Sequence, residues 1–154
     1  MSHNIDIWGP NVWFFLHGLA EKIKEDKFNE CKSNLIELIK LICFNLPCPE
    51  CSKDAENLLK KTNINAINKK EDLKKYIFNF HNHINKKLNK NIFLYENLDS
   101  KYCNINIYKT FNNIIHIYSL NSNNPKLMQY SIIRRRSIIK LNNYFNSIKP
   151  FLIN

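Results

Sequence analysis

Glycine is scarce in this chain, which has only Gly9 and Gly18 in 154 residues. A phosphate-binding loop or a dinucleotide-binding turn needs glycines where the backbone bends tightly against phosphate, so both are excluded. Sheet proteins also depend on glycine-containing turns. The shortage therefore favours an all-α fold, and the 44% hydrophobic composition is sufficient for a packed core.

Apolar residues at helical spacing recur through the first hundred residues. They predict four helices, over residues 10–24, 29–46, 49–61 and about 71–90. Pro10 and Pro49 suit first turns, where the missing N–H costs nothing, and Pro47 ends the second helix. This pattern predicts a four-helix bundle over residues 1–100.

The net charge of +10 is concentrated in the last third of the chain. Residues 101–154 hold five lysines, the run Arg134–Arg136 and no acidic residue. Residues 104–118 are compatible with a helix or a strand, because β-branched residues and asparagines decide for neither. Residues 119–126 indicate a linker and residues 127–148 a helix. We therefore expect a basic helical extension over residues 101–154.

No apolar run reaches the roughly 18 residues that a membrane-spanning helix requires. The N-terminus also shows no basic segment followed by an apolar core. From the sequence we therefore expect neither a membrane span nor a secretory signal.

The segment Pro-Cys-Pro-Glu-Cys places Cys48 and Cys51 at the expected start of the third helix. A zinc site would need further ligands, for which the chain offers His81 and His83 but no second close pair of cysteines. A thioredoxin-like site would need strands between the helices. Two thiols without a role are a third interpretation, and no metal is predicted.

A redox function for the pair has a physical basis. The N-terminus of a helix stabilises a thiolate through its dipole and free N–H groups. Two cysteines at i and i+3 lie on one face and can form an exchangeable disulfide. Cys31, Cys43 and Cys103 are predicted to be buried structural thiols, with a shuttle role as the alternative.

A disulfide-forming enzyme also needs an electron acceptor. Trp13 and His17 share one face of the first helix, and His81 and Asn85 share one face of the fourth. Each of these residues alone could be part of the core or exposed to solvent. Together they suit a planar cofactor that carries phosphate and lies between helices.

Three blocks of the sequence resemble the FAD-linked sulfhydryl oxidases of the Erv/ALR family. They are "WGPNVWFFLHGLA", "LPCPECSKDAENLL" and "FHNHINKKLNK", and they occur in the family's order. The resemblance covers roughly residues 7–95. It implies a four-helix bundle with a short fifth helix, non-covalent FAD and a homodimer. It also implies a thiol oxidase that passes electrons from protein dithiols through Cys48–Cys51 to FAD and then to oxygen, giving hydrogen peroxide.

The resemblance also implies roles for particular residues. Cys51 would lie beside the flavin ring, whereas Cys48 would be the more exposed cysteine and would exchange with substrate. Residues expected to bind the cofactor are Gly9, Pro10, Trp13, His17, Cys51, His81, Asn82, Asn85, Lys87 and Lys90. Asn89 replaces the glycine that is usual in the flavin motif, which predicts a changed turn there.

The compartment depends on the source. The short chain, the absence of a shuttle Cys-x-x-Cys and the heavy use of Asn, Lys and Ile favour a viral member, in the host cytoplasm or the virion. A cellular member would be expected in the mitochondrial intermembrane space. The alternative function is a non-enzymatic helical module whose basic tail binds nucleic acid or an acidic partner.

Overall fold

The computed structural model describes residues 5–153, and this part of the chain is all-α, as predicted. Residues 1–4 of the predicted bundle (1–100) and residue 154 of the predicted extension (101–154) lie outside the described residues. The described part contains seven α-helices: α1 (Ile5–Lys22), α2 (Phe28–Phe44), α3 (Pro49–Lys61), α4 (Lys70–Lys87), α5 (Leu98–Tyr102), α6 (Ile107–Ser119) and α7 (Pro125–Ile148). Short 3-10 turns occupy Glu25–Lys27, Ile64–Ala66, Tyr95–Asn97 and Lys149–Phe151.

Helix α1 begins one turn earlier than the sequence predicts, at Ile5 rather than Pro10. Pro10 therefore lies inside the helix, where it removes one backbone hydrogen bond near the exposed end. The added turn buries Trp8, whose side chain is 6% exposed, against the core. Burial of a large aromatic side chain contributes about 2–3 kcal/mol, which offsets the missing bond.

Residues 104–118, which the sequence left between helix and strand, form most of α6. The Asn106 side chain caps this helix by accepting a hydrogen bond from the Lys109 amide at 3.0 Å. Ile107, Phe111 and Ile114 follow at helical spacing and are buried. Tertiary burial of this stripe thus decides a segment whose intrinsic preference is weak.

The two C-terminal helices pack onto the bundle and share its hydrophobic core. Helix α6 packs against α1, and α7 packs against α2. The Tyr118 hydroxyl donates to the carbonyl of Ile42 at 2.7 Å, and the Phe111 and Phe145 rings stack with centroids 3.9 Å apart. Helices on both sides of residue 100 therefore share one core, while the domain boundary itself stays a prediction.

The end of the chain is also tied to the end of α1. The Lys24 amide donates to the carbonyl of Phe151 at 2.8 Å, and the Ile153 amide donates to that of Lys22 at 2.6 Å. These bonds form an isolated antiparallel bridge between Ile23 and Leu152. Because both bridge residues are fully or almost fully buried, the bridge closes the core at this end.

The run Arg134–Arg136 does not form one exposed basic strip. Arg134 is 7% exposed and donates to the carbonyl of Leu120 at 3.1 Å. Arg135 is exposed and donates to the Asn121 side chain at 2.6 Å. Arg136 is exposed as well. Nucleic-acid binding by this segment stays a prediction, with only two of the three guanidinium groups on the surface.

Among the helices between residues 5 and 153, none combines the length and the apolar character needed to cross a bilayer.

Candidate active site

Cys48 and Cys51 form a disulfide at the N-terminus of α3, with their Cα atoms 5.1 Å apart. Cys48 is the N-cap residue, in an extended conformation, and its sulfur accepts a hydrogen bond from the Cys51 amide at 3.2 Å. Pro49 occupies the first helical turn. When the disulfide is reduced, this cap and the helix dipole lower the energy of a Cys48 thiolate.

The relative exposure of the two cysteines is opposite to that implied by the resemblance. Cys48 is only 3% exposed, whereas Cys51 is partly exposed and lines a cavity. The cap geometry folds the Cys48 sulfur over the first turn of the helix, which explains its burial. Cys48 as the more exposed cysteine is therefore wrong for this structure, and the roles of both cysteines remain predictions.

A cavity of about 270 Å³ lies between α1, α3 and α4, with α5 along one side. All the residues predicted to bind the cofactor line this cavity except His17 and Asn82. Those that line it are Gly9, Pro10, Trp13, Cys51, His81, Asn85, Lys87 and Lys90. The fold therefore brings together residues as far apart in the sequence as Gly9 and Lys90.

Aromatic and imidazole rings form one wall of the cavity. Trp13 stacks on His81 with ring centroids 4.0 Å apart and an interplanar angle of 10°. Behind this pair, the fully buried His17 lies with Nε2 3.0 Å from His81 Nδ1. His17 also stacks on Tyr102, with centroids 4.3 Å apart. His17 thus supports the wall from behind and does not line the cavity.

Both histidines of this wall are held in their neutral form. Burial, together with the neighbouring His81 and Lys101, lowers the pKa of His17 to about 3. Burial likewise lowers the pKa of His81 to about 4, with Lys101 contributing. One imidazole nitrogen donates and the other accepts across the 3.0 Å contact, which suits two neutral rings, while His17 Nδ1 is buried without a hydrogen-bond partner.

Three lysines line the cavity: Lys87, Lys90 and Lys101. Lys87 pairs with Asp54, and Lys90 Nζ lies 3.3 Å from Asp6 Oδ1, with both lysine side chains about half exposed. Lys101 lies over the Phe93 ring, 4.8 Å from its centroid. Ammonium groups in these positions suit the phosphates of a bound ligand.

The Asn82 side chain forms hydrogen bonds with the backbone of Phe93 and does not line the cavity. Its side chain donates to the carbonyl of Phe93 at 2.8 Å and accepts from the Phe93 amide at 2.9 Å. It also accepts from the Asn85 side chain at 3.3 Å. Asn82 therefore holds the segment after α4 in place and connects it to Asn85, which does line the cavity.

Asn89 adopts the left-handed conformation, with φ of 55°. It follows Leu88, the C-cap residue of α4, at a position where glycine commonly takes this conformation. Asparagine tolerates it better than other non-glycine residues. The Asn89 backbone is thus in a conformation that glycine also adopts readily, and a change in this turn relative to the family stays a prediction.

Sequence reasoning missed several cavity residues. Trp8 and Phe14 come from α1, Asp54 from α3, and Lys101 and Tyr102 from α5. The boundary drawn at residue 100 falls inside α5 and separates the last two from the rest of the site. The short fifth helix implied by the family was the signal that could have placed them.

The three remaining cysteines are free thiols. Cys31 and Cys43 are buried as predicted, and burial raises their pKa to about 11 and about 12. Cys103 is exposed, so its predicted burial is wrong. Its position in a turn just after α5 leaves the side chain outside the core. Between residues 5 and 153, no group of three or more potential ligand side chains is placed to hold a metal ion.

The fold and the site define a class of protein. It is a helical bundle with a Cys-x-x-Cys disulfide at a helix N-terminus, next to a cavity suited to a planar, phosphate-bearing cofactor. The sequence model of the Erv1/Alr family matches residues 10–103. The match includes both cysteines and every predicted cofactor residue except Gly9. The chain belongs to the Erv1/Alr family.

Curated relatives agree with this assignment. The chain is 30% identical over 91 residues to a putative FAD-linked sulfhydryl oxidase of Invertebrate iridescent virus 3, covering 58% of this chain and 62% of that protein. It is 35% identical over 85 residues to the FAD-linked sulfhydryl oxidase of African swine fever virus (isolate Tick/Malawi/Lil 20-1/1983), covering 55% and 71%. It is 26% identical over 87 residues to the mitochondrial FAD-linked sulfhydryl oxidase ERV1 of Saccharomyces cerevisiae, covering 56% and 46%.

The match spans about six tenths of the iridescent virus protein and less than half of the yeast protein. No solved structure matches the chain significantly.

Proposed function

We propose that this chain is an FAD-dependent thiol oxidase that forms disulfide bonds in protein substrates. The observation that carries the proposal is that Cys51, half of the Cys48–Cys51 disulfide, lines the same cavity as the Trp13–His81 stack. A disulfide next to a cavity for a planar ring can hand electrons to that ring. The relatives' names, which specify FAD-linked sulfhydryl oxidases, agree with it.

The donor set of the cavity fits FAD. The stacked Trp13 and His81 rings offer a flat wall for a ring system, and Asn85 offers an amide. Lys87 and Lys90 offer ammonium groups for the phosphates. Gly9 and Pro10 give a part of α1 without a long side chain. In the proposed reaction His17 and Asn82 position these residues, and bound FAD supplies a two-electron acceptor that passes electrons on to oxygen, giving hydrogen peroxide.

The chain's own chemistry is thiol–disulfide exchange. A substrate thiolate attacks the Cys48 sulfur, the Cys48–Cys51 bond breaks, and Cys51 leaves as a thiolate. The second substrate thiol, as its thiolate, then attacks the substrate sulfur of the mixed disulfide and releases Cys48 as a thiolate. The substrate loses two electrons and two protons, and the pair gains both electrons. The amide of Cys51, which donates to Cys48 Sγ in the disulfide form, can then donate to the Cys48 thiolate.

A spectrum and an oxygen electrode test this proposal. The purified protein is expected to show the visible absorption of a flavin and to consume oxygen when dithiothreitol is added. Cys51→Ser should abolish turnover while leaving the flavin bound. Cys103→Ser is the matched control, since this exposed thiol lies outside the cavity, and it should keep wild-type turnover. A folded protein that binds no FAD would refute the proposal.

The resemblance to a dimeric family leads us to propose a homodimer as well. Met128, Ile132 and Ile139 recur at helical spacing on one face of α7 and are 49%, 38% and 71% exposed. Such a row of exposed apolar side chains is unusual on a monomer. Sedimentation of the wild type and of an Ile132→Lys, Ile139→Lys variant tests this, since the variant should be monomeric.

Viral and mitochondrial names among the relatives leave two proposed locations: the host cytoplasm or virion for a viral protein, and the intermembrane space for a cellular one. Fractionation of cells that produce the protein, followed by immunoblotting, distinguishes them.

A further inference from the structure

A second cleft, of about 250 Å³, lies beside the turn that holds Cys48. Its lining comes from two distant parts of the chain: Pro47 and Pro49 on one side, and residues 121–123, Leu127, Tyr130 and Arg134 on the other. The two prolines flank Cys48 directly. Cys51 lines the first cavity, whereas Cys48 is 3% exposed and does not line the second cleft, which adjoins it through the two prolines.

Arg134 gives the cleft an unsatisfied positive charge. Its side chain is 7% exposed, and its Nε atom is buried without a hydrogen-bond partner. Every ion pair between residues 5 and 153 uses a lysine, so no carboxylate of the described chain neutralises this guanidinium. A buried charge without a counter-ion is costly, and a carboxylate supplied from outside would remove that cost.

The surroundings of the cleft add to its positive potential. Helix α3 begins at Pro49, and α7 begins at Pro125, between cleft residues 123 and 127. The N-termini of both helices favour negative charge. Glu50, which follows the cleft residue Pro49 in the sequence, is exposed and does not line the cleft. Residues 101–154, which supply most of the lining, contain no acid.

We propose that this cleft binds the cysteine-bearing segment of the substrate protein and that Arg134 pairs with an acidic side chain near the reacting cysteine. The inference rests on the proposed thiol oxidase function, because it assumes that Cys48 is the sulfur attacked. Because Cys48 is 3% exposed and lies outside the cleft lining, the bound thiolate reaches its sulfur only after the Pro47–Pro49 turn moves. The wall formed by residues 121–134 lies beyond the matched family region, residues 10–103, so this preference is a property of the C-terminal helices.

Two dithiol peptides that differ only in charge test the inference. Both carry Cys-x-x-Cys, flanked in one peptide by aspartates and in the other by lysines. The wild type should favour the acidic peptide about tenfold or more in kcat/KM, as expected for a hydrogen-bonded charge pair. Arg134→Gln should remove this preference. Arg136→Gln, which changes an exposed neighbouring arginine outside the cleft, should keep it.

Flanking charges also change the acidity of the peptide thiols, but this effect is the same for every variant. It therefore cancels when the preference of each variant is divided by that of the wild type. The part of the wild-type preference that depends on Arg134 should weaken as salt is raised, because the cleft is open to solvent. A preference that is equal in wild type and Arg134→Gln would overturn the inference.

A second variant keeps the test decisive if Arg134→Gln does not fold. Asn123 is an exposed residue of the cleft, so Asn123→Asp adds a negative charge without disturbing the core. It should reduce or reverse the preference for the acidic peptide, and an unchanged preference would contradict the inference. Stoichiometric reduction of the Cys48–Cys51 disulfide by each peptide, followed by mass spectrometry, measures the same preference without FAD. Loss of oxygen consumption alone would then count against the proposed function and not against the cleft.

Discussion

His17 and His81 face each other between α1 and α4, with His17 Nε2 3.0 Å from His81 Nδ1. This contact joins the fully buried His17 to the ring that stacks on Trp13. The wall of the candidate active site therefore depends on both imidazoles staying neutral.

Acid should destabilise the protein through this pair. The pKa values of His17 and His81 are lowered to about 3 and about 4, whereas histidines of an unfolded chain titrate near 6.5. The unfolded chain therefore takes up protons first as the pH falls from 7 to 4. We expect the free energy of unfolding to drop by about 3 kcal/mol for each of the two histidines over this range. Urea unfolding at several pH values measures it.

His17→Phe should reduce this pH dependence, because phenylalanine keeps a ring next to Tyr102 but cannot take up a proton. His83→Gln changes an exposed histidine of the same helix as His81 and should leave the profile as in wild type. A His17→Phe profile as steep as that of the wild type would contradict this assignment.

Lys87→Gln should weaken FAD binding. The change removes a cavity-lining ammonium group and leaves the carboxylate of Asp54, its ion-pair partner, facing the ligand. We expect the Kd for FAD to rise about two- to fivefold, the range for a partly exposed charge. Titration followed by flavin fluorescence measures this. Lys86→Gln is the matched control, because the neighbouring Lys86 is exposed and does not line the cavity.

Tyr118→Phe should destabilise the whole domain. The substitution removes the 2.7 Å hydrogen bond from a fully buried hydroxyl to the carbonyl of Ile42 and leaves that carbonyl without this partner. We expect a loss of about 1–2 kcal/mol in a single unfolding transition. Tyr108→Phe, at a residue that is 37% exposed, should have little effect. Separate transitions for the bundle and the C-terminal helices would show that the two do not unfold together.

The two glycines should respond oppositely to alanine. A Cβ at Gly18 would lie 2.8 Å from Ile105 Cγ2 and 3.1 Å from Ile107 Cδ1, so Gly18→Ala forces the segment before α6 away from α1. We expect a net loss of about 1 kcal/mol or more. At Gly9 the nearest atom is 3.5 Å away, so Gly9→Ala should stabilise α1 by about 0.5–1 kcal/mol. Thermal unfolding distinguishes the two, and a loss at Gly9 equal to that at Gly18 would argue against this packing.

Asn89→Gly should be nearly neutral, whereas Asn89→Ala should cost about 1 kcal/mol. The residue has φ of 55°, which glycine adopts freely and alanine adopts with strain. Both variants remove the polar side chain. Alanine would be the more stable of the two at an ordinary helical φ, because it lowers the entropy of the unfolded chain, so a less stable alanine variant reports the left-handed conformation. Equal stability of the two would show that the left-handed turn is absent in solution.

Most of the secondary structure could be predicted from local patterns, because apolar spacing, prolines and capping residues act over a few residues. The third helix begins at Pro49 as predicted. The exceptions are segments whose local preference was overridden by packing. Burial of Trp8 extends α1 past Pro10, and burial of Phe111 and Ile114 makes residues 107–119 helical.

The sequence by itself determined the type of chemistry: a Cys-x-x-Cys pair at a helix start, and Trp, His and Asn residues at helical spacing. Tertiary structure alone decided three further features. It buries Cys48 and turns Cys51 to the cavity, because an N-cap folds its side chain over the helix. It adds Lys101 and Tyr102 to the site, and it buries Arg134 near the turn formed by residues 47–49. These features depend on contacts between residues far apart in the chain, which no local pattern encodes.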